Sequence, residues 1–303
     1  SGDLTWSYFV AKGSAELSSD PSLFAGVDLV RLERSLAGRQ DEYASAQPFP
    51  HIVLDDFLEP ERLAQAAREF GDVQSSDWIG YVHFNEKKFC NPNMDSWGPT
   101  LRSVAQTLNS PDFVRMLSEL TGIDGLIADE GMEGGGLHQS LRDGYLNVHA
   151  DYTVHPLHPT WQRRVNLLLY FNERWPTAYG GALELWSTDM SRRVVTIEPR
   201  GNRAVIFNTE SDSFHGHPDP MQCPSGESRK SLALYYFTVE SDPMVRSTEY
   251  RARPGEGLRG ILIYIDKQAL RLYDRAKRRL GISDARMDKF LRRFNSKPRR
   301  GTD

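Results

Sequence analysis

Two cysteines, Cys90 and Cys223, are all that the 303 residues contain. They are too few for a disulfide scaffold and lack the CxxC spacing of a structural zinc site, which predicts a reducing, cytoplasmic setting. No apolar run reaches the ~20 residues needed to cross a bilayer, and no basic segment leads into a hydrophobic one near the start, so neither a membrane span nor a secretory leader is expected. Internal repeats and low-complexity tracts other than the basic end are missing as well. With 39% hydrophobic and 26% charged residues, the composition excludes a disordered chain, a collagen and a coiled coil. The length suits one large domain or two small ones with a real core.

The net charge of −4 conceals a division. Residues Arg246 to Asp303 carry 17 Lys and Arg against 7 Asp and Glu, so the end of the chain is basic and the remainder acidic. A basic tract of this kind either faces a polyanion or docks on the acidic part of its own chain. Aromatics are not interleaved with the basic residues as in single-strand binders, which disfavours nucleic acid as the partner. Apolar positions Ile263, Tyr264, Leu270, Leu272, Tyr273 and Leu280 form a helical face that needs a cover, either the domain itself or a second copy in a homodimer.

Patterning predicts an arm over 1–48 with one amphipathic stretch, Val27 to Arg39, closed by the breaker Gln47-Pro48-Phe49-Pro50. A strand over His51–Asp55 and a helix from Glu59-Pro60 to Phe70 open the domain proper, 49–240, and further helices follow at Pro99–Leu108 and Asp112–Leu120. From Leu126 onward the expected strands are Tyr145–His149, Arg164–Phe171, Ala182–Trp186, Val194–Ile197, Ala204–Phe207, Phe214–His215 and Ser231–Val239. Closely spaced strands without intervening helices point to an antiparallel barrel or jelly roll within an α+β chain. Helices at Ile263–Gly281 and Asp284–Phe294 make a basic helical extension of 241–303.

Within the β-rich region, His149-Ala150-Asp151 places an imidazole and a carboxylate on one face of a strand. His215 supplies a third ligand from another strand. Two His and one carboxylate occupy one face of an octahedral ferrous ion and leave three positions for an oxidant and a chelating co-substrate; zinc with a water fits the same ligands. Arg229 opens an otherwise apolar strand. It is either an edge residue beside Lys230 or the bidentate partner of a dicarboxylate co-substrate, and the ordered set with His149, Asp151 and His215 favours the latter. His155, His158 and His217 compete as ligands, but prolines at 156, 159 and 218 make their segments irregular. His138, Trp161, Arg163, Arg164 and Trp186 are candidates for a polar, aromatic-walled pocket. Gly134-Gly135-Gly136 lacks the Gly-Lys-Ser/Thr ending of a phosphate loop and is expected as a hairpin or lid at the barrel mouth.

The ordered segments Gly-Gly-Gly-Leu-His-Gln, Gly-Tyr-Leu-Asn-Val-His-Ala-Asp-Tyr, Arg-Arg-Val-Asn-Leu-Leu-Leu-Tyr-Phe-Asn-Glu-Arg-Trp, Gly-Gly-Ala-Leu-Glu-Leu-Trp and Ser-Arg-Lys-Ser-Leu-Ala-Leu-Tyr-Tyr-Phe run from Gly134 to Val239. Together they resemble the Fe(II)/2-oxoglutarate-dependent oxygenases of the prolyl 4-hydroxylase-like group, and the likeness extends over about 48 to 240. The resemblance implies a double-stranded β-helix, or jelly roll, with flanking N-terminal helices. It implies Fe(II) on His149, Asp151 and His215, and Arg229 on the distal carboxylate of 2-oxoglutarate, with O2 as oxidant. Tyr170 matches a tyrosine that contacts that carboxylate in prolyl-hydroxylase relatives, and equally suits a barrel-core aromatic. Asp151 fills the position that halogenating relatives leave to chloride, so the resemblance implies hydroxylation, of a small-molecule, amino acid/peptidyl or saccharide substrate. Two other classes stay open: an oxidative demethylase directed to nucleic acid by the basic C-terminus, and a non-oxygenase metal-binding β-roll protein.

Overall fold

The computed structural model describes residues 26–280, the last of these as backbone only from 270. In chain order the elements are α1 (Leu29–Leu36), α2 (Gln40–Ser45), β1 (His51–Leu54), α3 (Pro60–Arg68), β2 (Ile79–His83), β3 (Glu86–Asn91), α4 (Pro99–Leu108), α5 (Pro111–Thr121), β4 (Ile127–Ala128) and β5 (Gly136–Ser140). They continue as β6 (Tyr145–Ala150), β7 (Trp161–Tyr170), β8 (Leu183–Trp186), β9 (Arg193–Ile197), β10 (Ala204–Asn208), β11 (His215–His217), β12 (Arg229–Val239), β13 (Glu249–Tyr250) and α6 (Gly257–Leu280). Hydrogen-bonded order is β1-β10-β7-β12-β5-β3-β6-β11-β8-β9, every pairing antiparallel. Strand β3 bonds both β5 and β6, so one half of the sheet curls over to face the other. This is a jelly-roll double-stranded β-helix.

Strand β7 shows why the layers form. Val165, Leu167 and Leu169 point outward under the helices, where they pack with Leu101, Val104, Leu108, Phe113 and Leu117 of α4 and α5. The intervening Leu168 and Tyr170 point inward, where Val205, Phe207, Leu183, Leu185, Ile197 and Phe49 fill the space between the two halves. A strand buried on both faces needs an almost unbroken apolar run, and the second half of β7, Val165–Tyr170, has one that only Asn166 interrupts. Leu167 has no exposure, so truncating it to Ala would cost about 2–5 kcal/mol. The helices begin where their local chemistry dictates: Asp28 accepts from Arg31 N at the start of α1, and Ser110 does the same for Phe113 N before Pro111 in α5.

Each of the seven strands expected after Leu126 is present within a few residues. Patterning missed β2, β3, β4, β5 and β13, and also α2. The polar run Glu-Lys-Lys-Phe-Cys-Asn of β3 hides its burial, because Lys88 Nζ and Glu86 Oε2 satisfy one another at 3.0 Å. Gly134-Gly135-Gly136 is no free lid. Gly136 opens β5 at φ +97°, and a Cβ there would stand 2.5 Å from Asn91 O, so the segment is wedged between strands.

The C-terminal helix begins at Gly257, ahead of the expected Ile263, because Gly260 continues it without a break; a Cβ at Gly260 would stand 3.1 Å from that of Ala252. Ile263 is buried, but Tyr264 is 56% exposed, so the expected face is only partly covered. The expected helix over Asp284–Phe294 and the side chains from Leu270 onward lie outside the described residues. Among the described residues, no helix is long and apolar enough to cross a membrane.

Candidate active site

His149 lies on β6 and His215 on β11, and the two are direct partners across the antiparallel ladder, their rings 4.5 Å apart. Each imidazole is oriented by a backbone carbonyl: His149 Nδ1 lies 2.9 Å from Asn147 O, and His215 Nδ1 lies 2.9 Å from Ser213 O. A carbonyl only accepts, so both Nδ1 atoms carry the proton and both Nε2 atoms present a lone pair. Asp151 Oδ1 is 3.5 Å from His149 Nε2, and Oδ2 is 3.5 Å from His215 Nε2. Three acceptor groups thus converge, with one ligand atom from each lying within 4.8 Å of the others. Such an arrangement repels itself unless a cation sits between the groups, and its donor set suits a divalent metal.

Burial acts against the charge of Asp151, but the guanidinium of Arg163, the largest of the opposing influences, holds the carboxyl well below its ordinary range. Burial also lowers His215 to about 4. A carboxylate beside a neutral imidazole is the protonation state a metal requires.

Arg229, the first residue of β12, is buried, and its inward neighbour Ser231 is the ladder partner of both Tyr170 and His138. Its Nη2 donates to Tyr170 Oη at 3.0 Å and its Nε to Gly181 O at 2.8 Å. Among the described residues it has no carboxylate partner. Burial raises the Tyr170 phenol even against Arg229, so the hydroxyl stays a neutral donor. Two more ring nitrogens, His138 Nε2 and His217 Nδ1, are buried and without a partner among the described residues. Burial lowers His138 to about 3 and drives His217 well below its ordinary value, with Arg229 and Lys88 acting in the same direction on both.

Other candidates fall elsewhere. His155 Nδ1 accepts from Leu157 N and His158 N, each at 3.1 Å, so its Nε2 carries the proton toward Asp129 at 3.2 Å and has no lone pair for a metal. His158 stacks on Trp161 with centroids 4.2 Å apart. Trp186 Nε1 donates to Glu184 at 2.9 Å within a small cluster with Val148, Ala150 and Phe214. Arg164 reaches outward to Glu240, 3.5 Å away. Its neighbour Arg163 instead reaches Asp151 Oδ2 at 3.0 Å. Patterning did not anticipate that contact, nor Asn166, whose Nδ2 donates to the same oxygen at 2.7 Å. It also missed Tyr250 of β13, the ladder partner of His149.

Residues 135–237 match the family model of the 2OG-Fe(II) oxygenase superfamily, a span that includes His149, Asp151, His215, Arg229 and Tyr170. The chain therefore carries a 2OG-Fe(II) oxygenase domain, and the enzyme's cofactors are Fe(II), 2-oxoglutarate and O2. Among solved structures it is similar to a prolyl hydroxylase of Trichoplax adhaerens in complex with a hypoxia inducible factor peptide. There the identity is 15% over 69% of this chain and 90% of that one, with a TM-score of 0.49. A prolyl 4-hydroxylase of Phytophthora capsici gives 18% over 70% of this chain and 65% of that one, also at 0.49. HygX of Streptomyces hygroscopicus, solved with nickel, 2-oxoglutarate and hygromycin B, gives 11% over 62% and 82%, at 0.40. No curated protein matches the sequence.

Proposed function

We propose that His149, Asp151 and His215 hold Fe(II), that Arg229 with Tyr170 binds the distal carboxylate of 2-oxoglutarate, and that the enzyme hydroxylates a C–H bond. The substrate is a small molecule, an amino acid or peptidyl unit, or a saccharide, and the co-products are succinate and CO2. The observation that carries this reading is Arg229: a buried guanidinium with no carboxylate partner among the described residues, in the same barrel as a converging His/Asp/His set. A buried cation of that kind calls for an anionic ligand, and a dicarboxylate that also chelates the metal meets the requirement. The ring nitrogens of His138 and His217 that have no partner among the described residues favour a polar occupant beside it.

When bound, Fe(II) with 2-oxoglutarate and O2 supplies the oxidising equivalent for C–H cleavage. The chain contributes position and dryness. Arg229 and Tyr170 fix one end of the co-substrate, and Phe49, Leu183, Leu185, Val205 and Phe207 keep water from the inner wall. Asp151 completes the ligand set, which supports hydroxylation over halogenation. We take residues 49–240 as the oxygenase domain. Cys90 and Cys223, both buried and neither in a disulfide, support a reducing, cytoplasmic setting.

The test is anaerobic titration of the protein with Fe(II) and 2-oxoglutarate, followed by admission of air. The expected result is a visible charge-transfer band requiring both components, then succinate formation. Metal binding without 2-oxoglutarate binding or turnover would return the protein to the class of non-oxygenase metal-binding β-rolls.

A further inference from the structure

The two oxygens of Asp151 are not equivalent. Oδ2 accepts a hydrogen bond from Asn166 Nδ2 at 2.7 Å and forms an ion pair with Arg163 Nη2 at 3.0 Å. The Asn166 amide thus takes one lone pair of Oδ2, and the charge of Arg163 holds that oxygen on the same side. The imidazoles do not distinguish the two oxygens, since Oδ1 stands 3.5 Å from His149 Nε2 and Oδ2 3.5 Å from His215 Nε2; Asn166 and Arg163, both on Oδ2, do. Arg163 is in turn fixed on every side. Its Nε and Nη2 donate to Asn166 Oδ1 at 2.9 and 2.7 Å, and its guanidinium lies between the rings of Tyr235, 3.4 Å from the centroid, and Tyr152, 4.6 Å. Those tyrosines are tied to backbone: Tyr235 Oη donates to Gly134 O at 2.9 Å and Tyr152 Oη to Glu133 O at 2.7 Å. The glycine-rich segment thus anchors a stack whose far edge is the carboxylate of the metal site.

We propose that Arg163 is the positioning residue of the metal site, which with Asn166 takes Oδ2 of Asp151 so that Oδ1 alone is offered to the metal. This rests on the iron reading above and extends it to a residue that touches neither metal nor co-substrate. A carboxylate free to turn could chelate through both oxygens and close a coordination position that the oxidant needs; one whose Oδ2 is tied to Asn166 and Arg163 must give up those contacts to do so. Arginine is required because its planar fork serves Asp151 and Asn166 at once while stacking between two rings, which an ammonium cannot do.

Mn(II), which is stable in air, is the probe. Calorimetric titration of wild-type protein, Arg163→Met, Arg163→Lys and Asn166→Ala should show Mn(II) affinity falling about 10- to 100-fold in Arg163→Met, with the other two intermediate. A purely structural role would leave the ligand field untouched, so the visible spectrum of the Co(II) complex is the second readout. It should change in Arg163→Met and Asn166→Ala as the carboxylate becomes free to bind through both oxygens. A crystal structure of the wild-type Mn(II) complex should show Oδ1 on the metal and Oδ2 still on Arg163, which keeps the test open should Arg163→Met fail to fold. Unchanged Mn(II) affinity and Co(II) spectrum in folded variants, or Mn(II) bound through Oδ2, would overturn the assignment. No Mn(II) binding by wild-type protein would remove the metal site itself, a result distinct from either.

Discussion

Tyr250 pairs directly with His149 across the β13–β6 ladder, and its ring centroid lies 5.4 Å from that of the imidazole. The segment following the barrel strands therefore returns to the metal-site wall before α6 begins. From there the helix is pinned beside the site: Lys267 Nζ reaches Glu249 at 3.0 Å and Arg259 reaches Asn147 at 3.2 Å, the residue whose carbonyl orients His149. Deleting 244–303 should consequently lower metal affinity as well as stability. Tyr250→Ala should cost about 3–5 kcal/mol as a buried aromatic truncation, whereas Tyr250→Phe keeps the ring and should recover most of it. Denaturant unfolding and Mn(II) titration on the same samples measure both effects.

His149→Ala and His215→Ala should each abolish Fe(II) binding and succinate formation. Full activity in either variant would exclude the triad. Asp151→Gly should lose hydroxylation without necessarily gaining chlorination, since the substrate would also have to be repositioned. It would in addition leave Arg163 buried without its carboxylate, so the variant should be less stable than wild type in thermal unfolding as well as inactive.

Arg229→Ala should raise the 2-oxoglutarate requirement by about 2–5 kcal/mol, because the carboxylate would be left unmatched in a buried site. Arg229→Lys should restore only part of this. Tyr170→Phe deletes one hydrogen bond, worth about 0.5–1.5 kcal/mol, and should raise KM for 2-oxoglutarate less than Arg229→Ala does. An unchanged KM in Arg229→Ala would show that another residue holds the anchor.

His-x-Asp was legible in the sequence because a strand's period puts both residues on one face, and the apolar run of β7 was legible because both its faces are buried. Arg163 was not. Adjacent arginines at 163 and 164 look alike, and alternation says only that they point to opposite sides, not which one points in. A bulge in β7, where Tyr236 pairs with Val165 but Phe237 with Arg163 so that Arg164 is the extra residue, makes the local pattern harder still to read. Strand β3 was hidden for a related reason, since inward-facing Glu86 and Lys88 look exposed until their ion pair is seen. Strand β13 has two residues, too short for any period to show.

His83 links this hidden strand pair to the C-terminal helix. Its Nε2 lies 2.8 Å from Glu86 and its Nδ1 2.9 Å from Asp266 of α6. Burial alone would lower its pKa, but the hydrogen bonds and charges of Glu86 and Asp266 outweigh it and raise the imidazole above its ordinary 6.5. A base whose pKa is raised on folding binds its proton more tightly in the folded state. The stabilisation is therefore complete below 6.5 and is lost as pH rises through the folded value. Wild-type protein should lose denaturant resistance relative to His83→Gln between about pH 6.5 and the alkaline side of that raised value. The difference should be constant at lower pH, where His83 is protonated in both states. Urea midpoints for the two proteins across this range measure it. A wild-type advantage that grows with pH would mean that His83 sits there uncharged and that the helix is held by Lys267 and Arg259 instead.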